Sequence, residues 1–215
     1  MDIEQYDRWY YTPRGEWIGQ CETSLLLDAL EPEPGESLLD VGCGTGFFTR
    51  RMSLSIGGKA IGIDINENWI RYAWKKNKGQ TFYAVADAGA LPFADAAFHM
   101  VISVAALCFI PDIHTAIGEI IRVTRRSFAI GLLNRHSLMW LKKGRAGGVG
   151  VYHGARWHTV NEAVSLFSGF PVKNLIAQTA VHIPSGGKIA QWVERCFPPT
   201  LLTGAFILVS GDVVR

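Results

Sequence analysis

The sequence predicts an α/β fold in which helices and seven strands alternate in one doubly wound sheet. Two observations carry this reading. The apolar run Leu38-Leu39-Asp40-Val41 ends in a turn with glycine at every second position, Gly42, Gly44 and Gly46. Phe48, Met52 and Ile56 then recur every four residues, so the chain passes there from strand to helix. Downstream, further short apolar runs alternate with amphipathic helical stretches at the spacing of βαβ units, which implies a parallel sheet.

The chain has 215 residues, 48% hydrophobic and 19% charged, enough for one sizeable core and inconsistent with a largely disordered chain. It reads as a single domain in four parts: an aromatic arm and helix over 1–36, a ligand-binding half over 37–133, an irregular insertion over 134–158, and C-terminal strands and helices over 159–215. Tyr6, Trp9, Tyr10 and Tyr11 precede Thr12-Pro13, a helix start, and Trp17, Cys21 and Leu25 follow at helical spacing until Pro32-Glu33-Pro34-Gly35. After Gly57 and Gly58 come a strand over 59–64, a helix capped by Asn66 and closed by Asn77-Lys78-Gly79, and strands over 81–85 and 98–104. Asp112 caps a helix with Ile113, Ala116, Ile117, Ile120 and Ile121 on one face, and a strand over 128–133 follows. Thr159 and Glu162 form a capping box ahead of a helix that runs to Gly169. Then come a strand over 172–183, a helix with Ile189, Trp192, Val193 and Cys196, and a strand over 205–210.

Charge and cysteine usage narrow the partners. A net charge of +2 is too mild to announce nucleic acid. The four cysteines are widely spaced, no apolar leader follows the start, and the longest nearly apolar run, 100–110, is too short to cross a bilayer. A soluble, cytoplasmic protein, monomeric or homodimeric, is the expectation.

The chemistry is concentrated where strands end. In a doubly wound sheet, ligands bind outside the carboxyl ends of the strands, which places Asp64 and Asp87 at the same crevice as the glycine turn. An acid about 20 residues beyond the glycines suits ribose hydroxyls. The turn departs from the G-x-G-x-x-G dinucleotide fingerprint, lacks the Gly-Lys-Ser/Thr of a P-loop, and holds no basic residue for a pyrophosphate, so a nucleoside without phosphates is favoured.

Taken together, Leu39-Asp40-Val41-Gly42-Cys43-Gly44-Thr45-Gly46, Gly62-Ile63-Asp64, Asp87-Ala88 with Leu91-Pro92-Phe93, Phe98-His99-Met100-Val101, and Glu119 with Arg122-Val123 resemble the class I S-adenosylmethionine-dependent methyltransferases, in the type 11 small-molecule group. The resemblance covers residues 37–133. It implies a Rossmann-like seven-stranded sheet, mostly parallel with an antiparallel last strand, with helices on both faces. It further implies that Gly42, Gly44 and Gly46 approach the methionine part of S-adenosylmethionine, with Asp40 near its ammonium or supporting the turn. Asp64 would hold the ribose, Ile65 the adenine face, and Asp87 with Ala88 the adenine amino group; Ser103 and Val104 would lie near the methyl. Two positions depart from the family pattern: His99 stands where aspartate is common, and Thr124-Arg125-Arg126-Ser127 replaces a proline-glycine-glycine turn at the edge of the acceptor site.

Methyl transfer asks mainly for alignment and exclusion of water, so no base need be evident. His136, His153 and His158 are the candidate bases, beside the reading of each as a structural or surface histidine. Their spacing is not a zinc pattern and no metal is expected. Acceptor contacts are expected from Tyr10, Tyr11, Leu107, Arg135, Trp140 and Trp157. Residues 122–161 carry eight Arg or Lys and no Asp or Glu. That bias reads as a solvated basic face, as a site for an anionic or lipid-like acceptor, or, at Ser137-Leu138-Met139-Trp140-Leu141-Lys142-Lys143, as a peripheral membrane contact. The rival readings are a non-catalytic S-adenosylmethionine-binding regulatory or assembly protein, a dehydrogenase, and an RNA methyltransferase, the last lacking an Asn-Pro-Pro-aromatic motif.

Overall fold

The computed structural model describes residues 2–77, 79, 81–197 and 201–215; Met1 at the chain start and Lys78 in the expected helix stop lie outside the described residues. Seven strands form one sheet in the order β3-β2-β1-β4-β5-β7-β6. They are β1 (Leu38–Val41), β2 (Ala60–Asp64), β3 (Thr81–Val85), β4 (Phe98–Val104), β5 (Thr124–Leu133), β6 (Val172–Ala180) and β7 (Phe206–Val213). The first five run parallel, and β7 lies antiparallel between β5 and β6. Order and polarity match the doubly wound sheet with an antiparallel last strand.

Helices cover both faces because the strands are apolar on both. On one face, α2 (Pro13–Leu30) and α3 (Phe47–Ile56) bury Leu26, Leu30 and Met52 against Leu38, Met100, Ile102 and Leu208. On the other, α5 (Ile113–Val123) and α7 (Val160–Ser165) bury Ile117, Ile120, Ala163 and nearby Phe167 against Val101, Phe128 and Ile130. α4 (Glu67–Lys76) closes the β3 edge through Ile70, Ala73 and Tyr83. Thr12 and Asn66 cap α2 and α4, and the Thr159–Glu162 capping box opens α7.

The arm ahead of α2 is itself a helix, α1 (Ile3–Trp9), and one buried carboxylate pins it. Asp7, fully buried, faces Arg50 of α3 at 3.5 Å, Lys76 of α4 at 3.9 Å, and the Tyr72 hydroxyl, which donates to it at 3.2 Å. A charge so enclosed is stable only where partners compensate its lost hydration. α1 is thereby held across the N-terminal end of α3 and along α4.

Three expected elements are corrected. β5 starts at Thr124, four residues earlier than its apolar run, because Thr124 pairs with Phe98 of β4 although Arg125 and Arg126 disguise the strand. β6 stops at Ala180 because Val181 turns to φ +65°, and the N–H groups of Val181 and His182 donate to the Glu194 carboxylate instead of the ladder. β7 runs on to Val213, since its outer residues pair with Ser127 of β5 and with Val172 and Lys173 of β6. The segment 134–158 is also less irregular than expected. Ser137 caps a short helix, α6 (Leu138–Lys143), two 3-10 turns follow, and Asn134 bridges His158. A six-residue helix is too short for periodicity to disclose. The last helix, α8 (Lys188–Cys196), packs Ala190 near Ala180, Val181, Trp17 and Ile18. Among the described residues no helix is long and apolar enough to cross a membrane.

Phe128 is fully buried and stacks on Phe167 with ring centroids 5.0 Å apart. Phe128→Ala is expected to cost about 3–5 kcal/mol of unfolding free energy, read from urea denaturation; a loss below 1 kcal/mol would contradict the packing described.

Candidate functional site

The site is built where β1 ends. Gly42, Gly44 and Gly46 have φ of 75°, 54° and 76°, a region that β-carbons disfavour. Neighbours leave no room for a side chain either: a Cβ on Gly42 would lie 2.2 Å from that of Ala106, and one on Gly46 would lie 2.6 Å from the Tyr83 hydroxyl. These two glycines are thus demanded by the protein's own packing. Gly44 rests on the Trp69 ring, 3.2 Å from its Cβ position.

Two acids brace the turn from beneath and beside. Asp40, almost wholly buried, accepts a 2.6 Å hydrogen bond from the Thr49 hydroxyl in the first turn of α3. Burial pushes its carboxyl up to about 7, an effect that the Thr49 bond opposes. Asp64, at the end of β2, accepts from the Gly44 N–H at 3.0 Å through one oxygen and from the Asn66 N–H at 2.9 Å through the other. Each carboxylate oxygen retains a second lone pair, so Asp64 still has capacity for ligand hydroxyls.

The crevice over this turn is lined by Tyr6, Tyr10, Asp40, Gly42, Gly44, Thr45 and Val104, among others, and encloses about 30 Å³. Its roof is α1. Tyr10 stacks on Phe47 at 4.0 Å, Tyr6 meets Trp69 edge-on at 4.9 Å, and the Tyr6 and Tyr10 hydroxyls lie 3.3 Å apart. A volume of that size holds about one water, whereas a nucleoside-sized ligand needs several hundred Å³.

The other expected site residues divide. Ile65 is 70% exposed beside Asp64, an open apolar surface at the lip of the turn. Asp87 is exposed and accepts from the Gly89 N–H at 2.8 Å, forming a turn of its own, while Ala88 beside it is buried. Val104 lines the crevice, but Ser103 points to the opposite sheet face by strand alternation, the face of Val101, and its buried hydroxyl has no partner among the described residues. Of the expected acceptor contacts, Tyr10 is in the crevice wall and Tyr11 is 61% exposed near Phe47. Leu107 is fully buried in the core, and Arg135 pairs with Glu162 at 2.7 Å. Trp140 lies under the Arg145 guanidinium, and buried Trp157 packs on Tyr152 at 5.5 Å. His136 and His153 are exposed; His158 is buried, its Nδ1 without a partner among the described residues, and its pKa is lowered by burial.

Sequence reasoning passed over Thr45 and Thr49. Thr45, in the crevice wall, carries a buried hydroxyl without a partner among the described residues, and Thr49 serves Asp40. Thr49 follows the third glycine by three residues, a helix first-turn position that was the available signal. The donor set suits a nucleoside bearing a cationic group: two carboxylates with spare lone pairs, Asp40 and Asp64, and the unpaired Thr45 hydroxyl.

The comparisons with known proteins agree with this chemistry. Residues 39–127 match the model of a methyltransferase domain family. An O-methyltransferase of Penicillium expansum is 36% identical over 115 residues, covering 51% of this chain and 42% of that protein. A demethylmenaquinone methyltransferase of Desulfitobacterium hafniense is 28% identical over 208 residues, covering 88% and 78%. Among solved structures, an S-adenosylmethionine-dependent methyltransferase of Thermotoga maritima superposes with a TM-score of 0.71 at 22% identity, covering 98% of this chain and 95% of that one. Over residues 39–127 the chain matches a methyltransferase domain, and its fold is that of solved S-adenosylmethionine-dependent methyltransferases. It spans 29–58% of the length of four of the curated methyltransferases it matches.

Asp40 also makes a pH signature. Its folded pKa, about 7, lies above the unfolded value of 3.8, so the folded state holds a proton that the unfolded state releases first. Its contribution to stability is present below pH 4 and is lost as pH rises toward 7. Asp40→Asn, which keeps an acceptor for Thr49, is expected to remove a loss on the order of 2–4 kcal/mol across that interval. Urea midpoints at stepped pH values test this, and an unchanged slope in the variant would refute the assignment.

Proposed function

We propose that the chain transfers a methyl group from S-adenosylmethionine to a small-molecule acceptor by in-line displacement. The observation that carries the reading is the double bracing of the glycine turn by Asp40 and Asp64, with Thr45 unpaired beside them. Asp64 holds the ribose hydroxyls with its spare lone pairs, Ile65 offers its exposed face to the adenine, and Asp87 with Ala88 meets the adenine edge. Asp40 and Thr45 hold the cationic methionine end beneath α1. The cofactor supplies a methyl already activated on a sulfonium, so the chain's task is to orient the acceptor and exclude water. The roof of Tyr6 and Tyr10 suits the second task.

Support for a small acceptor comes from relatives whose names include a demethylmenaquinone methyltransferase and O-methyltransferases. Support for an anionic acceptor is thinner than the run of basic residues suggests. Arg122 pairs with Glu119 and Asp95, Arg126 with Glu36, and Arg135 with Glu162. What remains at the insertion is Lys142, Lys143, Arg145 and Arg156. Leu138 and Leu141, each about half exposed beside Lys142 and Lys143, support a peripheral lipid contact.

Calorimetry with S-adenosylmethionine tests the cofactor assignment, and transfer of its labelled methyl into small molecules tests the activity. Asp64→Ala is expected to weaken cofactor binding at least tenfold, by removing the ribose contacts and unbracing Gly44. Unchanged affinity would sink the assignment of Asp64.

A further inference from the structure

The last helix, α8, has an outer side that stands open to solvent. Ala190 is its buried residue, seated among Trp17, Ile18, Ala180 and Val181. At about 100° per residue, Ile189, Trp192 and Cys196 fall on the side away from Ala190 and form one stripe along the helix. Ile189 is 78% exposed and Trp192 67%, and Cys196 is exposed in line with them. Lys188 and Arg195 border the stripe. The acid of this helix, Glu194, is turned inward, where its carboxylate accepts from the N–H groups of Val181 and His182 at 2.6 and 2.8 Å. The outer side of α8 is therefore apolar and basic, without an acid.

The short helix α6 repeats the arrangement. Its Met139 packs on the same cluster as Ala190, so the two helices share one seat and their outer sides belong to one region of the surface. Leu138 and Leu141, each about half exposed, have a cation one turn further on, Lys142 and Arg145, with exposed Lys143 beside them. Among the described residues, none of Lys142, Lys143, Arg145, Lys188 and Arg195 enters an ion pair. Arg122, Arg126 and Arg135, by contrast, are each neutralised by a carboxylate. The cations next to exposed apolar residues are the ones left without a counter-charge.

We propose that the α6–α8 face docks the chain on a lipid bilayer that carries anionic headgroups. Two features of the face select this occupant. The uncompensated cations call for a negatively charged surface, and the stripe of Ile189 and Trp192 with Leu138 and Leu141 calls for an apolar one directly beneath it. A nucleic acid would use the cations and leave the four apolar side chains in water. At a bilayer those side chains enter the acyl boundary, where tryptophan is favoured, and the long basic stems carry their charges back to the headgroups. Trp9 of α1 packs against the cluster that seats both helices, which sets the arm of the crevice beside the docked face. The dock goes beyond the methyltransferase reading and does not depend on it.

The test is sedimentation of the full chain with vesicles, in the absence of S-adenosylmethionine. Vesicles of phosphatidylcholine and phosphatidylglycerol in a three-to-one ratio are expected to bind at least about tenfold more tightly than phosphatidylcholine alone, with the difference shrinking as salt is raised. Lys142→Gln, Lys143→Gln and Lys188→Gln together are expected to remove that difference. Ile189→Ser with Trp192→Ser is expected to weaken binding about tenfold with the charges intact. All five positions are exposed, so both joint variants should keep the wild-type thermal midpoint. Trp192→Phe, which keeps the apolar character, should still bind but lose part of the quenching of tryptophan fluorescence by brominated lipid, and it remains decisive if a joint variant unfolds. Equal binding to the two kinds of vesicle, binding untouched by both joint variants, or quenching unchanged in Trp192→Phe would each overturn the proposal. A chain that ignores the anionic vesicles would overturn it as well, whether it binds single-stranded RNA instead or self-associates through Ile189 and Trp192.

Discussion

The bond from the Gly44 N–H to Asp64 is the constraint on which the site depends. It ties the turn after β1 to the end of β2, and the other Asp64 oxygen ties both to the start of α4 through Asn66. A charge-assisted bond of this kind is stronger than a neutral one and fixes direction as well as distance. Three successive elements are thereby referred to one carboxylate. Because Trp69 of α4 lies under Gly44 and meets Tyr6 of α1, the same carboxylate sets the height of the floor against the roof.

The roof is governed by a second buried charge. Asp7 gathers Arg50, Tyr72 and Lys76 from two helices, so α1 cannot lift without exposing or unpairing it. Floor and roof are each held by an aspartate, but the compensation differs: Asp64 is satisfied mainly by backbone N–H groups, Asp7 by side chains with freedom to follow it.

Much of this was legible in the residues. The strand-to-helix switch at Gly42–Gly46, the caps at Thr12, Asn66, Asp112 and Thr159, and the stripe from Ile113 to Ile121 each have a local cause and were read correctly. What escaped depends on contacts distant in sequence. Arg125 and Arg126 hid the start of β5 because their strand pairing lies with β4, and β6 ended early because Glu194 captures two of its N–H groups. The basic residues after α5 looked like one surface until their acidic partners, Glu36, Asp95, Glu119 and Glu162, came from four separate places.

The position of β7 has a kinetic consequence. Strand β5 pairs with β4 through local connections, but its other edge is filled by residues 206–213, more than seventy residues later. Until that strand arrives, β5 presents an open edge of apolar residues, and β6 has no neighbour to join. Pairings of such long sequence separation are slow to form because the loop must close before any contact rewards it. The β3-β2-β1-β4-β5 unit, with the whole glycine turn, is thus complete in its strand pairings before the insertion side of the molecule is assembled.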